Sequence, residues 1–342
     1  MFQFNLKSCS QRSPIAVECS ASALRMLQLS GIAPNAVVKA AAIVNGMNFS
    51  SEQTAWDDAT VRKVKDAMRA GGFTGTTCAL SLPAKSIMTE SIDLPALASD
   101  EMKETVSWTA VDRLGVDRQE IVSGYLPIRA GTLGGANSEV LVVATRNAVV
   151  NRIAALLTQT GYEPLRAELG ALAAMRLAWN DIKNASASIP QFAFLHLESD
   201  RATLALLNSA GLGFHRSFAW ESSADLNRGA IPVAGEEDES HAWRWRQMAE
   251  EILLCLRHVE RRVKGVWPQF ILLSGALAEE PGVACAIRSV CGAETRVMDA
   301  AQFADWSQVK RPVGSMSAWT SLLSVALPDS TTMQAFNARR VA

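Results

Sequence analysis

The sequence predicts an α/β protein built of two lobes. Its 342 residues exceed the size at which a single hydrophobic core keeps growing, so two lobes are expected. A pattern of three short apolar strands joined by polar turns, and followed by helical segments, occurs near residues 14–44 and again near residues 192–218. Two such patterns far apart in the chain predict a duplicated α/β lobe with a cleft between the copies.

The composition is that of a globular protein. Apolar residues make up 49% of the chain and charged residues 20%, with a formal net charge of −1. This balance argues against charge-driven binding of nucleic acid or membranes. The six cysteines form no CxxC pair and predict buried free thiols in a reducing compartment. The N-terminus lacks a secretory signal, and no apolar run approaches the roughly 20 residues of a bilayer span, so we expect a cytoplasmic protein.

The first meander is specified by short apolar runs. Pro14–Cys19 and Leu24–Leu29 are separated by the small residues Ser20–Ala23 and predict a hairpin, to which Val37–Val44 adds a third strand. Residues 58–70 place apolar side chains at helical spacing, and the pair Gly71-Gly72 ends this predicted helix.

The middle of the chain predicts a compact α/β module of its own, at residues 79–165. It contains two short strands around Pro83, a helix capped by Ser99, a strand pair and a closing helix. The strand pair is Ile121–Ile128 and Glu139–Ala144, joined by the Gly-rich loop AGTLGGAN, and the helix covers Asn147 to about Gln159.

The second half begins with an Ala/Leu helix and the linker-like stretch NASASIPQ. The second meander follows, and then a long amphipathic helix predicted at His241–Lys264, whose C-terminal end is basic. The remaining predicted elements are a buried strand at Gln269–Ser274 and a helix at Gly282–Val290.

Three segments carry a resemblance to a known family. Glu18–Arg25 matches a D-I-G-S-S-S-x-K turn, FAFLHLESDRATLALL matches a second strand–turn–strand, and ILLSGALAEEPGV matches an I-x-L-S-G-G-G-A-x-x-P-G loop. In this order, and over nearly the whole chain, the sequence resembles the type IV pilus assembly protein PilM family and its actin-like relatives.

The resemblance implies an actin-like (duplicated ribonuclease-H-like) two-lobed fold with a small inserted α/β subdomain in the first lobe. The first lobe would comprise residues 1–78, with 166–188 and 320–342 returning to it. The inserted subdomain would cover 79–165, and the second lobe 189–319.

The same resemblance implies where a nucleotide would bind. The matching residues of the three loops are Glu18, Ser20, Ser22 and Arg25, then His196, Glu198, Ser199 and Thr203, and finally Ser274 and Gly275. Several of them depart from the family pattern, because Ser20 and Glu198 replace glycines and His196 replaces an aspartate.

These departures weaken a phosphate site. Glycine lets backbone N–H groups approach phosphate closely, and a glutamate about 4 Å from a phosphate charge would cost roughly 4 kcal/mol at an effective dielectric near 20. The sequence therefore predicts a pseudo-ATPase with no catalytic residue, no metal site and no cofactor. The alternative is an active ATPase that binds ATP with Mg²⁺.

Simpler explanations exist for the individual features. Ser20–Ser22 can be an ordinary hairpin turn and His196 a hydrogen-bonded core histidine. Cys255 and His258 lack a second pair of metal ligands, so we expect them to serve in helix packing. The basic helix end at 257–264 can be a solvated terminus, or it can meet acidic lipid headgroups or an acidic partner.

By resemblance, the predicted function is that of a cytoplasmic scaffold. A PilM-like protein would bind the short cytoplasmic N-terminal segment of a PilN-like inner-membrane protein, in a groove near Val37–Val44 and 79–165. It would also meet platform or motor components, bind no nucleic acid, and lie at the inner membrane through partners. The alternatives are an active actin-like ATPase, a cytoplasmic type II secretion component, and a sugar-kinase relative, which should carry a catalytic aspartate.

Overall fold

A computed structural model describes most of the chain. The described residues are 2–3, 13–20, 23–31, 35–47, 49, 56–95, 97–129, 137–186, 188–199, 201–220, 237–262, 267–310 and 314–327. They form two compact units. Unit 1 comprises Met1–Leu177, Ala300–Gly314 and Ser321–Ala342, and unit 2 comprises Ala178–Asp299 and Ser315–Thr320.

Unit 1 is built on a six-stranded sheet of order β1-β9-β5-β2-β3-β4. Strands β2, β3 and β4 pair antiparallel, whereas β5 pairs parallel with both β2 and β9. All five side chains of β2 are buried, because the strand runs through the centre of the sheet. The elements are β1 (Phe2–Gln3), β2 (Ile15–Cys19), β3 (Ala23–Ser30), β4 (Val37–Asn45), α1 (Asp58–Ala70), β5 (Thr77–Leu82), α3 (Asn147–Gln159), β9 (Glu163–Leu169), α4 (Gly170–Ala185) and α7 (Thr320–Ala326).

A smaller antiparallel sheet of order β6-β8-β7 is inserted between β5 and α3. Its elements are β6 (Ile87–Leu94), α2 (Ser99–Leu114), β7 (Ile121–Arg129) and β8 (Ser138–Arg146). One face of α2 forms a core with β8, in which Val106 and Ala110 meet Val140 and Val142. The predicted module at 79–165 is wider than this sheet, because β5 and β9 belong to the large sheet.

Unit 2 is built on a five-stranded sheet of order β12-β11-β10-β13-β14. Its elements are β10 (Phe192–Leu197), β11 (Arg201–Asn208), β12 (Gly211–Ala219), α5 (Glu237–Arg262), β13 (Phe270–Ser274), α6 (Val283–Cys291) and β14 (Glu294–Val297). Met248, Ile252, Leu256 and Val259 recur every three or four residues along α5 and pack on the sheet. Because one face of α5 is buried against the sheet, its apolar residues recur at helical spacing, which is the amphipathic pattern seen in the sequence.

The two large sheets share one topology. In each, an antiparallel three-stranded meander is followed by two strands that continue the sheet in parallel from the first strand of the meander. The order β4-β3-β2-β5-β9 in unit 1 therefore corresponds to β12-β11-β10-β13-β14 in unit 2. The duplication predicted from the strand pattern is confirmed.

Several sequence predictions need correction at their boundaries. Ser99 is the first residue of α2 rather than its cap, because Ala98 holds the cap position and its N–H donates to the Glu101 carboxylate at 3.1 Å. Helix α5 begins at Glu237 rather than at His241. Residues 300–314 cluster with unit 1, where the sequence placed them in the second lobe. Lys264 and most of the loop AGTLGGAN lie outside the described residues.

One buried histidine in unit 2 is independent of the predicted site. His215 lies in β12 with 5% of its surface exposed, and its Nε2 atom has no hydrogen-bond partner within the described residues. Burial lowers the pKa of His215 from 6.5 to about 4, because the charged imidazolium would lose its hydration. The folded state therefore excludes a proton that the unfolded chain takes up.

We expect the stability of unit 2 to fall as the pH drops from 6.5 towards 4, since a lowered folded-state pKa favours folding above the unfolded value. Between pH 7.5 and 5 the loss attributable to His215 should be about 2 kcal/mol. Chemical denaturation at both pH values, compared between wild type and His215→Gln, measures it. The exposed His258→Gln is the matched control and should retain the wild-type pH dependence. A parallel loss in wild type and His215→Gln would contradict this assignment.

Candidate functional site

The β2–β3 turn is the first element of the predicted site. The Ser20 N–H donates to the Ala23 carbonyl at 2.9 Å, and the Ala23 N–H donates to Ser20 Oγ at 3.2 Å. The two residues between them, Ala21 and Ser22, are outside the described residues. The N–H groups that flank this turn are engaged within the turn itself.

Glu18 stands at the end of β2 with 6% of its surface exposed. Arg25 Nη1 on the neighbouring strand donates to one carboxylate oxygen at 2.9 Å, and the Ser321 hydroxyl donates to the other. Gly170 leaves room for this arrangement, because a Cβ there would lie 3.3 Å from Glu18 Oε1 and 2.5 Å from Ser81 Oγ. Both oxygens of Glu18 thus have protein partners.

A second buried ionic cluster in unit 1 was not predicted. Arg176 Nη1 donates to Glu168 Oε2 at 2.8 Å, and Arg166 Nη2 donates to the Val325 carbonyl at 2.6 Å. Arg176 also donates to the Ser324 carbonyl at 3.3 Å, so two arginines satisfy carbonyls at the C-terminal end of α7. The only sequence signal was the alternation of Arg166 and Glu168 with the apolar residues Leu165, Ala167 and Leu169.

His196 is the centre of a buried polar chain in unit 2. Its Nδ1 lies 3.0 Å from Ser274 Oγ, and its Nε2 lies 3.3 Å from Glu198 Oε1. Ser274 continues to the Thr320 hydroxyl at 2.8 Å, which donates to the Ser317 carbonyl at 2.8 Å. Because Ser274 has no exposed surface, its hydroxyl serves as a hydrogen-bonding group of the core rather than as an accessible nucleophile.

The β10–β11 turn repeats the closed geometry of the first hairpin. The Glu198 N–H donates to the Arg201 carbonyl at 2.9 Å, which encloses Ser199 in a two-residue turn. Trp220 Nε1 donates to the Glu198 carbonyl at 3.0 Å. Thr203 stands opposite His196 on β11, and its hydroxyl lies 3.3 Å from Ser217 Oγ.

Gly275 follows β13 and is required by the backbone. Its φ of +96° lies in the left-handed region, and a Cβ would fall 2.4 Å from the Leu197 carbonyl oxygen. Its N–H donates to the Ser317 carbonyl at 3.3 Å. The close approach of two backbone segments therefore explains why a glycine is needed at this position.

Within each unit, the structure brings several of the predicted residues together. Glu18, Ser20 and Arg25 lie together in unit 1, whereas the register of three neighbouring strands brings His196, Thr203 and Ser274 side by side in unit 2. Within the described ranges, no group of three or more His, Cys, Asp or Glu side chains is placed to hold a metal ion. Among the same residues, every helix is too short or too polar to cross a bilayer.

Comparison with known proteins identifies the fold. No family model and no curated protein matches the sequence. Among solved structures, the chain is similar to the PilM-PilN type IV pilus biogenesis complex, with a TM-score of 0.73 and 15% identity, covering 93% of this chain and 98% of that one. The chain has a PilM-like, actin-like fold. The predicted actin-like α/β architecture and the resemblance to PilM in fold are therefore confirmed.

Two further likenesses are weaker. A Bacteroides thetaiotaomicron protein with an actin-like ATPase fold has a TM-score of 0.49 at 9% identity, over 84% of this chain and 91% of that one. The cytoplasmic domain of EpsL, an inner-membrane component of the type II secretion system of Vibrio cholerae, has a TM-score of 0.48 at 12% identity, over 94% and 97%. Similarities at this level add nothing to the assignment of function.

We expect Gly275→Ala to destabilise unit 2 by about 3 kcal/mol or more, because it combines a disfavoured φ with a backbone clash. Gly292→Ala is the matched control: its φ is also positive at +67°, but no atom lies within 4 Å of the added Cβ, so about 1 kcal/mol is expected. Urea denaturation of both variants measures the difference. Equal losses would show that the contact with Leu197 does not constrain this position.

Proposed function

We propose that this chain is a cytoplasmic scaffold of a type IV pilus, or related secretion, inner-membrane assembly platform. The observation that carries the proposal is the PilM-like fold over 93% of the chain. The solved complex pairs PilM with PilN, and a PilN-like inner-membrane protein is the proposed partner here. Its short cytoplasmic N-terminal segment would hold this chain at the inner membrane, next to other platform or motor components.

Unit 1 offers sheet edges that suit an extended peptide. Strand β4 is an edge strand of the large sheet whose first residues already pair with Asp305, so that the part after Val38 is the open edge, and β7 is an outer strand of the small sheet. The unpaired backbone groups of an edge strand can pair with an added strand, which is a common mode of peptide recognition. These strands lie in the segments near Val37–Val44 and 79–165 where we place the partner groove.

The proposed scaffold does not hydrolyse ATP. Phosphate binding by a hairpin needs free backbone N–H groups, and those of Ser20, Ala23 and Glu198 donate within their own turns. Metal binding by Glu18 would compete with Arg25 and Ser321 for the carboxylate oxygens. Glu198 would add a negative charge beside a polyphosphate. These three observations support a pseudo-ATPase.

We expect the chain to copurify with a full-length PilN-like protein from the same organism when the two are coexpressed. Deletion of the partner's cytoplasmic N-terminal segment should abolish copurification, because that segment is the proposed contact. Pull-down from detergent extracts, with equal expression confirmed by immunoblot, provides the measurement. Retention of the truncated partner would exclude the N-terminal segment as the binding element, and failure to retain the full-length partner would contradict the scaffold assignment.

A thermal-shift titration tests the pseudo-ATPase assignment. Ligand at 100 times its dissociation constant stabilises a folded protein by about 2.7 kcal/mol, or a few degrees in Tm. We expect no shift with millimolar ATP or ADP in the presence of Mg²⁺. A known actin-like ATPase measured in parallel shows that the assay detects binding. A saturable shift of this chain would restore the ATP-binding alternative without affecting the partner experiment.

A further inference from the structure

Helix α5 exposes two large apolar side chains on one line. Trp243 and Leu254 are 52% and 59% exposed, and they are two of only four large hydrophobic residues exposed among the described residues. They are eleven residues apart, which at about 100° per residue places them within about 20° of each other around the helix and about 16 Å apart along it. The opposite face of α5 is the one that packs on the sheet.

Arginines from two elements gather beside this line. Arg216 projects from β12, and Arg257 and Arg261 belong to the last turns of α5. Together they line a groove of about 330 Å³, whose other lining residues are Glu251, Leu254 and His258. No ion pair involves these three arginines in the part of the chain that the structure describes. Their positive charge is therefore available to a ligand.

In the groove the arginines outnumber the acidic side chains, whereas the acidic run of α5, Glu237 to Glu239, lies at the N-terminal end of the helix, close to Trp243 in sequence. Glu250 lies on the same line as Trp243 and Leu254, and its carboxylate is paired with Arg246 at 3.2 Å. Glu251 is the one acidic residue that lines the groove, against three arginines. The groove is therefore locally positive although the whole chain has a formal net charge of −1. Net charge alone had argued against membrane binding.

We propose that this face of α5 and β12 binds directly to an anionic membrane surface. Lipid phosphates would lie between Arg216 and the pair Arg257 and Arg261, because guanidinium groups bind phosphate through two parallel hydrogen bonds. Trp243 and Leu254 would enter the interfacial layer, where tryptophan is favoured. A protein partner would have to present acidic groups and apolar pockets at this particular spacing. An anionic lipid surface presents negative headgroups and an adjoining apolar layer at any spacing.

The proposal does not depend on the scaffold function, because the contact requires no second protein. Each basic residue near an anionic surface strengthens binding by about 1 kcal/mol, which is roughly fivefold. Three arginines and two apolar side chains give a weak contact on their own. Such a contact would orient a protein that a membrane-anchored partner already holds.

Sedimentation with vesicles tests the proposal on the purified full chain without any partner. We expect binding to vesicles that contain phosphatidylglycerol, reduced as salt is raised, and none to pure phosphatidylcholine. Arg257→Glu/Arg261→Glu should weaken binding at least tenfold. Arg62→Glu/Arg288→Glu makes the same change in net charge at exposed positions outside the groove and should bind as wild type does. Unaltered thermal melting of all variants would confirm that they fold.

Two further measurements test the role of the apolar residues and distinguish lipid phosphate from soluble phosphate. Trp243→Ser and Leu254→Ser should each weaken vesicle binding several-fold without removing its salt dependence. If inorganic phosphate stabilises the protein through the arginines but vesicles do not bind, the ligand is a soluble phosphate and the membrane assignment is wrong. Absence of vesicle binding at low salt, or equal binding by the groove and control variants, would also overturn it. None of these outcomes bears on copurification with a PilN-like protein.

Discussion

A buried carboxylate at the end of β2 constrains much of unit 1. Removing Glu18 from water is costly, and the cost is offset only because Arg25 and Ser321 each supply a donor to one of its oxygens. This requirement fixes β3 and α7 against β2 and keeps Gly170 free of a side chain. A metal ion bound by Glu18 would have to share these two oxygens with the Arg25 and Ser321 donors.

In unit 2 the corresponding buried polar residue is His196 rather than a carboxylate. Where the PilM pattern has an aspartate, His196 forms a hydrogen bond with Ser274 through Nδ1 and places Nε2 3.3 Å from Glu198 Oε1. Both hairpins close as two-residue turns whose N–H groups donate within the turn. The shared topology shows that the two units follow one plan, and in each copy the buried polar residues of the predicted site have partners within the protein.

Local periodicity was sufficient to predict most of the fold. The hairpins, α1 and α3 followed from apolar spacing and from turn residues, and the repeated meander predicted the duplication. The sequence did not predict β14, which has four residues and little burial, or the pairing of Arg166 and Arg176 with the end of α7. Contacts of this kind join residues about 150 positions apart, and no local pattern encodes them. The resemblance named Gly275 as a nucleotide-loop residue, which stays a prediction, and the sequence did not predict the close approach of its backbone to Leu197.

Buried and exposed charged side chains differ in whether they are paired. Buried charges in unit 1 are paired within the protein, because an unpaired buried charge would destabilise the fold. Arginines without an ion-pair partner occur instead on the surface, because water hydrates an exposed guanidinium and its lack of a partner costs little free energy. Arg216 and Arg257 are distant in sequence and become neighbours only because β12 packs beside α5. A composition with a net charge near zero therefore conceals a locally positive face. It is the fold, rather than the overall charge, that determines where charge collects on the surface of this protein.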